Sequence, residues 1–418
     1  MCGIWGIMKK NSMVSANDLV YSKLAAQKMH HRGPDDDGYW NNNHFALSFK
    51  RLSILDLSSS GNQPMISQCK NYVLVYNGEL YNHIDIRKTL KNKGYHFRST
   101  SDSEVVLYAL IEWGTNALSR FNGMFALGFI NIREKSLLIA RDHVGMKPLY
   151  YCNLNGNFVF GSQLDHIMHY FNPKYLNINI DALYMYMAIG YYFAPNSVFN
   201  EIKQLEPGKW LKLDIKGKEK TGVHFDLTEF YLENQNNRYD QIEFEEKLEE
   251  AVSSHLMSDV PIGTFLSGGL DSSVITGVVD QKRGKPFDAY TIGDFDKYFD
   301  ESKRASLIAA ELKQSKHHII FPNNIPDYIE QFSDAYQEPF GDYSAIPSLM
   351  VAAEARKKVK VILSGDGSDE LFFGYSRMKP MLTAIPFYDF SFNFRKIIDY
   401  MPLTNIPGLL YKNKHELI

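Results

Sequence analysis

The sequence predicts two domains of different fold class: a layered α+β domain, followed by an α/β domain built on a doubly wound parallel sheet. The chain has 418 residues, which is too long for one ordinary domain. Its first half carries many short apolar or alternating runs bounded by turn residues, the pattern of strands, with few helical runs among them. From Tyr239 onward strand-like and helix-like runs alternate, and this order predicts parallel strands joined by helices.

In the first half, the strand-like runs are residues 3–7, 45–47, 72–76, 125–130, 137–140 and 158–161. Helical periodicity marks residues 17–29, 84–93 and 103–113. The third helix should begin with a capping box, because Ser101 is followed three residues later by Glu104. Gly114 should end that helix.

The change of pattern between the halves predicts the domain boundary. A turn at residues 206–208 leads into an alternating strand at 209–214, followed by a charged run at 216–220 and a polar run at 228–238. We therefore expect a first domain at 2–215, a linker at 216–238 and a second domain at 239–418.

The second half should contain helices and strands in alternation. Helices are expected at 243–256, 272–280, 302–312 and 347–358, and strands at 262–265, 288–291, 318–320 and 359–363. Glycine-rich turns follow the first and the last of these strands.

Composition narrows the class of partner. Hydrophobic residues make up 44% of the chain, charged residues 22%, and the net charge is -3, which is ordinary for a globular protein and favours neither nucleic acid nor an acidic membrane. The longest apolar run, 182–194, is shorter than the roughly 20 residues of a spanning helix. No leader is apparent, and the three cysteines have no paired spacing. We expect a soluble cytosolic protein.

The first motif with chemical content is Cys2. Removal of Met1 would give Cys2 a thiol and a free α-amine, and that amine can act as the local base for its own side chain. A cysteine at position two can also be incidental, so the residue needs support from the rest of the chain.

That support comes from five motifs in order: residues 2–4, 31–35, 51–54, 76–79 and 101–104. With them the chain resembles the class II, N-terminal-nucleophile glutamine amidotransferases, and most closely the asparagine synthetase family, over essentially its whole length. The resemblance implies a glutaminase domain of layered antiparallel sheets with helices, then an ATP-pyrophosphatase domain on a parallel sheet.

The resemblance also implies a glutamine pocket with Cys2 as nucleophile. Arg51 would grip the substrate carboxylate, and Glu79 and Asp102 would hold its ammonium group. Asn77 and Gly78 would form the oxyanion hole. Further glutamine contacts are implied for Leu52, Ser53, Ile54 and Leu55.

Each of these residues has a plainer interpretation. Asn77-Gly78 is also a common hairpin turn, Asp102 can be a helix N-terminal charge, and Arg51 alone can be a solvated surface residue. The turn at 31–34 is assigned loop ordering rather than chemistry.

The second half carries a glycine-rich turn at 267–273, between a strand and a helix, where backbone N–H groups can approach phosphate. It lacks the Walker lysine and resembles the loop of enzymes that split ATP into AMP and pyrophosphate. A purely structural turn is the alternative. The implied ATP contacts are Phe265, Ser267, Gly268, Gly269, Leu270, Asp271, Ser272, Ser273, Ile292, Ser364 and Gly365.

The second glycine turn, at 363–375, resembles the segment that meets the pyrophosphate loop in the family. Asp271 and Asp369 would bind Mg²⁺ with ATP, and no organic prosthetic group is implied. Asp366 stands where many members have glutamate and would assist acyl-adenylate formation and accept a proton from ammonia. Asp342 and Ser344 are candidate acceptor contacts or simple turn residues.

The implied substrates are glutamine, ATP and an acceptor carboxylate, with aspartate first, and a homodimer is compatible with the resemblance. Family members usually continue further, with a Lys-x-Asp-Arg-type segment, so we expect a fragment or a truncated gene product. The alternatives are the same chemistry on a surface-sugar or peptide carboxylate, a glutaminase with an inactive second half, and a non-catalytic scaffold.

Overall fold

The computed structural model describes residues 1–234, 237–293, 300–322, 324–336, 338–372, 374, 375 and 378. Met1–Ser364 form one compact unit, and Gly365–Ile418 form a second. The predicted linker at 216–238 lies inside the first unit.

Two six-stranded antiparallel sheets make up the N-terminal half. Their strands are β1 Gly3–Lys9, β2 Asp36–Asn41, β3 Phe45–Arg51, β4 Met65–Ile66, β5 Tyr72–Leu80, β6 Gly123–Asn131, β7 Ser136–Arg141, β8 Tyr150–Leu154, β9 Asn157–Gly161, β10 Ile202–Gln204, β11 Lys209–Asp214 and β12 Glu219–Val223. One sheet has the order β10-β8-β9-β1-β3-β2, and the other has the order β12-β11-β7-β6-β5-β4.

Six helices belong to the same part of the chain: α1 Ala16–Lys28, α2 His83–Asn92, α3 Asp102–Trp113, α4 Leu164–Phe171, α5 Ile180–Ile189 and α6 Leu227–Asn234. The alternation of side chains explains the layers. On β1, Ile4 and Met8 pack between the two sheets, while Trp5 and Ile7 pack against α1 and α4. On β5, alternate residues face the inter-sheet core and the helices α2 and α3. The predicted layered α+β domain with antiparallel sheets is confirmed.

The C-terminal half of the first unit carries a parallel sheet of order β15-β14-β13-β16. Its elements are α7 Gln241–His255, β13 Ile262–Phe265, α8 Leu270–Arg283, β14 Phe287–Ile292, α9 Ser302–Glu311, β15 Ser315–Ile320, α10 Ile325–Ala335, α11 Ala345–Ala355 and β16 Val361–Leu363. Helices α7, α8 and α9 pack on one face and α11 on the other, so the doubly wound parallel sheet is confirmed. The second unit contains α12, Ser368–Phe372.

Two local expectations and one alternative interpretation differ from the structure. Ser101 caps α3 by accepting from Ser103 N–H, but Glu104 does not complete a capping box, because its carboxylate accepts from Arg98 N–H and Ser99 N–H. The capping box occurs on α1 instead, between Ser15 and Asp18.

Asn77-Gly78 is no hairpin turn either, since both residues lie inside β5, paired with Ala126 and Phe125. Within the expected linker, β12 pairs antiparallel with β11 as an edge strand. The side chains of β12 are mostly exposed, so its sequence lacks the apolar alternation that predicts a strand. Among the described residues no helix is long and apolar enough to cross a membrane.

Candidate active site

A cavity of about 250 Å³ opens where three strands of the N-terminal half end or begin. Cys2 stands just before β1, Arg51 ends β3, residues 77–79 lie near the end of β5, and Asp102 begins α3. The cavity lining includes these predicted glutamine-site residues: Cys2, Arg51, Leu52, Ile54, Leu55, Asn77, Gly78, Glu79 and Asp102. Ser53 is not part of the lining, and its backbone N–H donates instead to Asp35 Oδ2 at 2.8 Å.

Cys2 is held from two sides. The Leu52 backbone N–H donates to Cys2 Sγ at 3.4 Å, and Arg32 Nε donates to the Cys2 carbonyl oxygen at 3.1 Å. Burial raises the pKa of the Cys2 thiol, while the adjacent amine and the Leu52 N–H act against that rise. Burial also lowers the pKa of the Met1 α-amine to about 5. The amino terminus therefore lies in an environment that favours the neutral form of its amine.

Asn77 is 1% exposed, and its amide Nδ2 is buried without a hydrogen-bond partner in the described part of the chain. A buried N–H donor left unpaired is expensive, so its presence in a cavity indicates a ligand acceptor. Beside it, a side chain on Gly78 would place Cβ 2.4 Å from the Met124 carbonyl oxygen, which explains why this position has none.

Two carboxyl groups face the same cavity. Asp102 Oδ2 accepts from Leu80 N–H at 2.9 Å. Burial raises the pKa of Asp102, and burial together with the Asp102 charge raises the pKa of Glu79 well above its ordinary value. A cation placed between the two carboxylates would offset their repulsion and favour their ionised forms.

Arg51 orders the loop that follows it. Its Nη1 donates to the Ser58 carbonyl at 2.9 Å and to Asn62 Oδ1 at 2.6 Å, and its Nη2 donates to the carbonyls of Leu55 and Asp56. Gly61 is needed beside it, since a Cβ there would lie 2.3 Å from Nη2. The guanidinium thus shapes one wall of the cavity, and its grip on a substrate carboxylate stays a prediction.

Several lining residues were missed by the sequence reasoning. Gln63 clamps β5 to α3, because its amide accepts from Tyr76 N–H at 2.6 Å and donates to Ser103 Oγ at 3.2 Å. Lys147 brings a second buried cation, and residues 360–362 enter from the C-terminal half. None of these carries a local signal, since they reach the cavity only through the tertiary fold.

The predicted pyrophosphate loop follows β13 and opens α8. Gly268 has φ of +80°, and a Cβ there would meet Ala305 N at 2.8 Å, so the turn needs glycine. Ser267 Oγ and Ser272 Oγ are 2.9 Å apart and hold the turn closed. Asp271 lies in the first turn of α8. The glycine turn therefore leads directly into the N-terminus of α8, a position that favours phosphate binding.

Other predicted ATP contacts lie at the same edge of the parallel sheet. Phe265 and Ile292 end β13 and β14, and Ser364 follows β16, so all three stand at carboxyl ends of neighbouring strands. Leu270 is largely exposed at the start of α8. This edge is where open α/β sheets place their ligands.

Gly365, Asp366 and Asp369 belong to the second unit. There Ser368 N–H donates to the Gly365 carbonyl at 3.2 Å, and Asp369 lies in the first turn of α12. The roles of Asp366 in catalysis and of Asp271 and Asp369 in metal binding stay predictions.

Comparison with known proteins identifies both halves. Residues 1–224 match the glutamine amidotransferase domain, and residues 243–403 match asparagine synthase. The chain is 33% identical, over its full length, to asparagine synthetase [glutamine-hydrolyzing] 1 of Bacillus subtilis (strain 168), of which it covers 65%. It is also 33% identical to a putative asparagine synthetase [glutamine-hydrolyzing] 2 of Methanocaldococcus jannaschii, over 90% of this chain and 76% of that protein.

A third relative is asparagine synthetase B [glutamine-hydrolyzing] of Escherichia coli (strain K12), at 30% identity over 90% of this chain. The chain spans 65% of the length of the Bacillus subtilis and Escherichia coli relatives.

Proposed function

Because the chain belongs to the asparagine synthetase family, with a glutamine amidotransferase domain at its N-terminus, we propose that it hydrolyses glutamine at Cys2 and uses the ammonia to amidate aspartate with ATP. The observation that carries the proposal is the unpaired, buried Asn77 amide in the same cavity as the Cys2 thiol. A nucleophile beside an unused N–H donor is the arrangement that acyl transfer requires.

The first half-reaction takes place in the glutamine cavity. Once Met1 is removed, the Cys2 α-amine takes the thiol proton, and Sγ attacks the side-chain amide carbon of glutamine. Asn77 Nδ2–H and the Gly78 N–H stabilise the negative charge that develops on the amide oxygen. The C–N bond then breaks, ammonia leaves with the proton, and water hydrolyses the thioester to give glutamate.

The two carboxylates select the substrate. Glu79 and Asp102 receive the ammonium group of glutamine, and its charge brings their raised pKa values down. Arg51 contributes by ordering residues 55–62, and its Nε–H is the guanidinium donor left over for the substrate carboxylate in the described structure. Leu52, Ile54 and Leu55 complete the cavity wall.

The second half-reaction is assigned to the carboxyl edge of the parallel sheet. The turn at Gly268 and Gly269 and the N-terminus of α8 bind the phosphates of ATP, and the strand ends at Phe265 and Ile292 border the adenine. Mg²⁺ bound with ATP would neutralise phosphate charge, and the Asp271 carboxylate is the hard oxygen donor that this ion prefers. The family resemblance adds Asp369 as a second candidate ligand. The aspartate carboxylate attacks the α-phosphate, pyrophosphate leaves, and ammonia displaces AMP to form the amide, with Asp366 accepting a proton.

The test is to measure glutamate, AMP and asparagine released by the purified chain with Mg-ATP, glutamine and aspartate, omitting each in turn. AMP and asparagine that appear only with aspartate support the full proposal. Glutamate without AMP or asparagine would restrict the function of this chain to a glutaminase, or point to another acceptor carboxylate. No glutamate at all would overturn the proposal.

Cys2→Ala separates the two sites. This variant should lose all glutamine-dependent product and keep synthesis from added ammonium, because only the first site uses the thiol. Cys69→Ala, at an exposed cysteine outside the cavity, is the matched control and should change neither activity. Equal loss of both activities in Cys2→Ala would contradict a two-site mechanism.

A further inference from the structure

Lys147 is a buried cation in the glutamine cavity to which the proposed mechanism gives no role. Its side chain is 7% exposed and lines the cavity together with Cys2 and Glu79. Its backbone is fixed on both sides: the Lys147 N–H donates to Asp142 Oδ2 at 3.0 Å, and its carbonyl accepts from Arg141 Nε at 2.8 Å. The side chain therefore enters the cavity from a rigid loop.

The ammonium group of Lys147 makes no hydrogen bond or ion pair with the described residues. The nearest acid in sequence, Asp142, is already occupied, since its carboxylate accepts from the backbone N–H groups of Phe125, Val144, Met146 and Lys147. A buried ammonium without a protein partner is costly. The simplest reason to retain the Lys147 ammonium is an interaction with a group inside the cavity.

Charged groups from four other elements face Lys147. These are Glu79 on β5, Arg32 after α1, Cys2 and the Met1 α-amine just before β1, and His255 at the end of α7. Arg32 Nε donates to the Cys2 carbonyl, and Arg32 does not line the cavity. Among the side chains that line the cavity, Lys147 acts electrostatically on both Glu79 and the Cys2 thiol.

The electrostatic effect of Lys147 has the sign that glutamine hydrolysis requires. A positive charge favours the thiolate of Cys2, the carboxylate of Glu79 and the neutral form of the α-amine. Burial opposes the first two, since it raises the pKa of the Cys2 thiol and of the Glu79 carboxyl. Burial also lowers the pKa of Lys147, and the neighbouring Glu79 charge acts against that decrease. Without a cation, burial would favour the thiol and the carboxylic acid. The thiol would then give up its proton to the α-amine less readily, and Glu79 would lose its attraction for the substrate ammonium.

We propose that Lys147 is a positioning residue of the glutaminase site, whose ammonium, in the same cavity as Cys2 and Glu79, stabilises the thiolate that forms on Cys2 and the carboxylate of Glu79. The inference rests on the proposed glutaminase function for its purpose, but its effect on Cys2 can be measured without glutamine.

The experiment is alkylation of the chain by iodoacetamide as a function of pH, with the rate at each cysteine resolved by mass spectrometry. In Lys147→Met the Cys2 rate at neutral pH should fall about tenfold, because the loss of the cation moves the thiol titration upward by roughly one unit. Lys147→Arg keeps the charge and should stay within about twofold of the wild-type rate. Cys69 is exposed and serves as the internal reference in every sample.

A second measurement tests the effect of Lys147 on Glu79. In Lys147→Met the KM for glutamine should rise at neutral pH and return towards the wild-type value at higher pH, where Glu79 ionises unaided. Lys147→Gln is the alternative charge-free variant if the methionine variant does not fold. A purely structural role would lower kcat and stability without moving either pH profile.

The outcomes separate this inference from the proposed function. The role of Lys147 is overturned if the pH profile of Cys2 alkylation is unchanged in the charge-free variants. It is also overturned if Lys147→Arg shifts that profile as much as Lys147→Met does. If the wild-type chain releases no glutamate, the glutaminase proposal fails, while the alkylation profiles still decide whether Lys147 controls the thiol.

Discussion

Asn77 is the residue whose environment is hardest to explain without a ligand. Its amide is buried and unpaired, although the strand that carries it is fully paired with β6. A position that served stability alone would favour an apolar side chain of similar size, since an unpaired buried donor costs about 1–3 kcal/mol. The amide is therefore best understood as a donor held ready for charge that forms only during the reaction.

Asn77→Ala should lower the glutaminase kcat by about 100- to 1,000-fold with little change in KM, because one oxyanion donor acts mainly in the transition state. Steady-state release of glutamate measures both constants. Asn92→Ala, at an exposed position on α2, is the control and should match wild type. A rise in KM at unchanged kcat would place Asn77 in ground-state binding instead.

The carboxyl pair predicts how glutamine binding depends on pH. Burial raises the pKa of Glu79 and of Asp102, so these groups become neutral at a higher pH than an ordinary carboxyl of about 4. As pH falls through that raised range, attraction for the substrate ammonium is lost and KM for glutamine should rise. Glu79→Gln should flatten the pH profile of KM on the acid side. If the profile of this variant is as steep as that of wild type, Glu79 does not bind the substrate ammonium.

At the scale of elements, the close contact between β5 and β6 decides what can stand at position 78. The Cβ of an alanine would lie 2.4 Å from a backbone oxygen, Met124 O, and no side-chain rotation relieves that contact. The two strands would have to separate where Asn77 and Glu79 are held. The same element thus links the packing of the sheet to the geometry of the proposed oxyanion hole.

Gly78→Ala should destabilise the N-terminal half by about 1–3 kcal/mol through overpacking. The four tryptophans all lie in that half, at positions 5, 40, 113 and 210, so the denaturant midpoint of tryptophan fluorescence reports its unfolding. The control is Gly277→Ala in α8, where a Cβ meets nothing within 4 Å, and it should leave that midpoint unchanged. Equal midpoints for Gly78→Ala and wild type would show that the strands tolerate the separation.

The elements also show where sequence reasoning reaches its limit. Apolar runs locate the buried centre of a strand, so β5 was expected at 72–76, whereas it continues through the polar residues of the site to Leu80. Strands β2 and β12 expose every second side chain or more and give no apolar run. The residues that the motifs single out for glutamine line one cavity, except Ser53, and their binding of glutamine stays a prediction. Lys147 and residues 360–362 reach the same cavity only by tertiary folding.

At the scale of the whole molecule, the C-terminal half of the first unit supports the glutamine cavity from behind. The Asp259 carboxylate accepts from Asp56 N–H at 2.8 Å, and the Asp259 N–H donates to the Ile54 carbonyl at 3.0 Å. Lys360 Nζ contacts Asp35 Oδ2 at 2.9 Å, and the same oxygen accepts from Ser53 N–H. Two residues of the parallel-sheet half therefore hold the 52–56 segment that forms one wall of the cavity.

Asp259→Ala should accordingly raise the KM for glutamine although Asp259 touches no reacting group. Loss of one hydrogen bond to the loop is worth about 0.5–1.5 kcal/mol, which corresponds to a rise of about 2- to 10-fold. Synthesis from added ammonium should be unaffected, because it bypasses the cavity. The control is Glu311→Ala, which removes the same negative charge at an exposed position on α9 and should leave KM unchanged. If Asp259→Ala and Lys360→Met both bind glutamine as wild type does, the cavity is shaped by the N-terminal half alone.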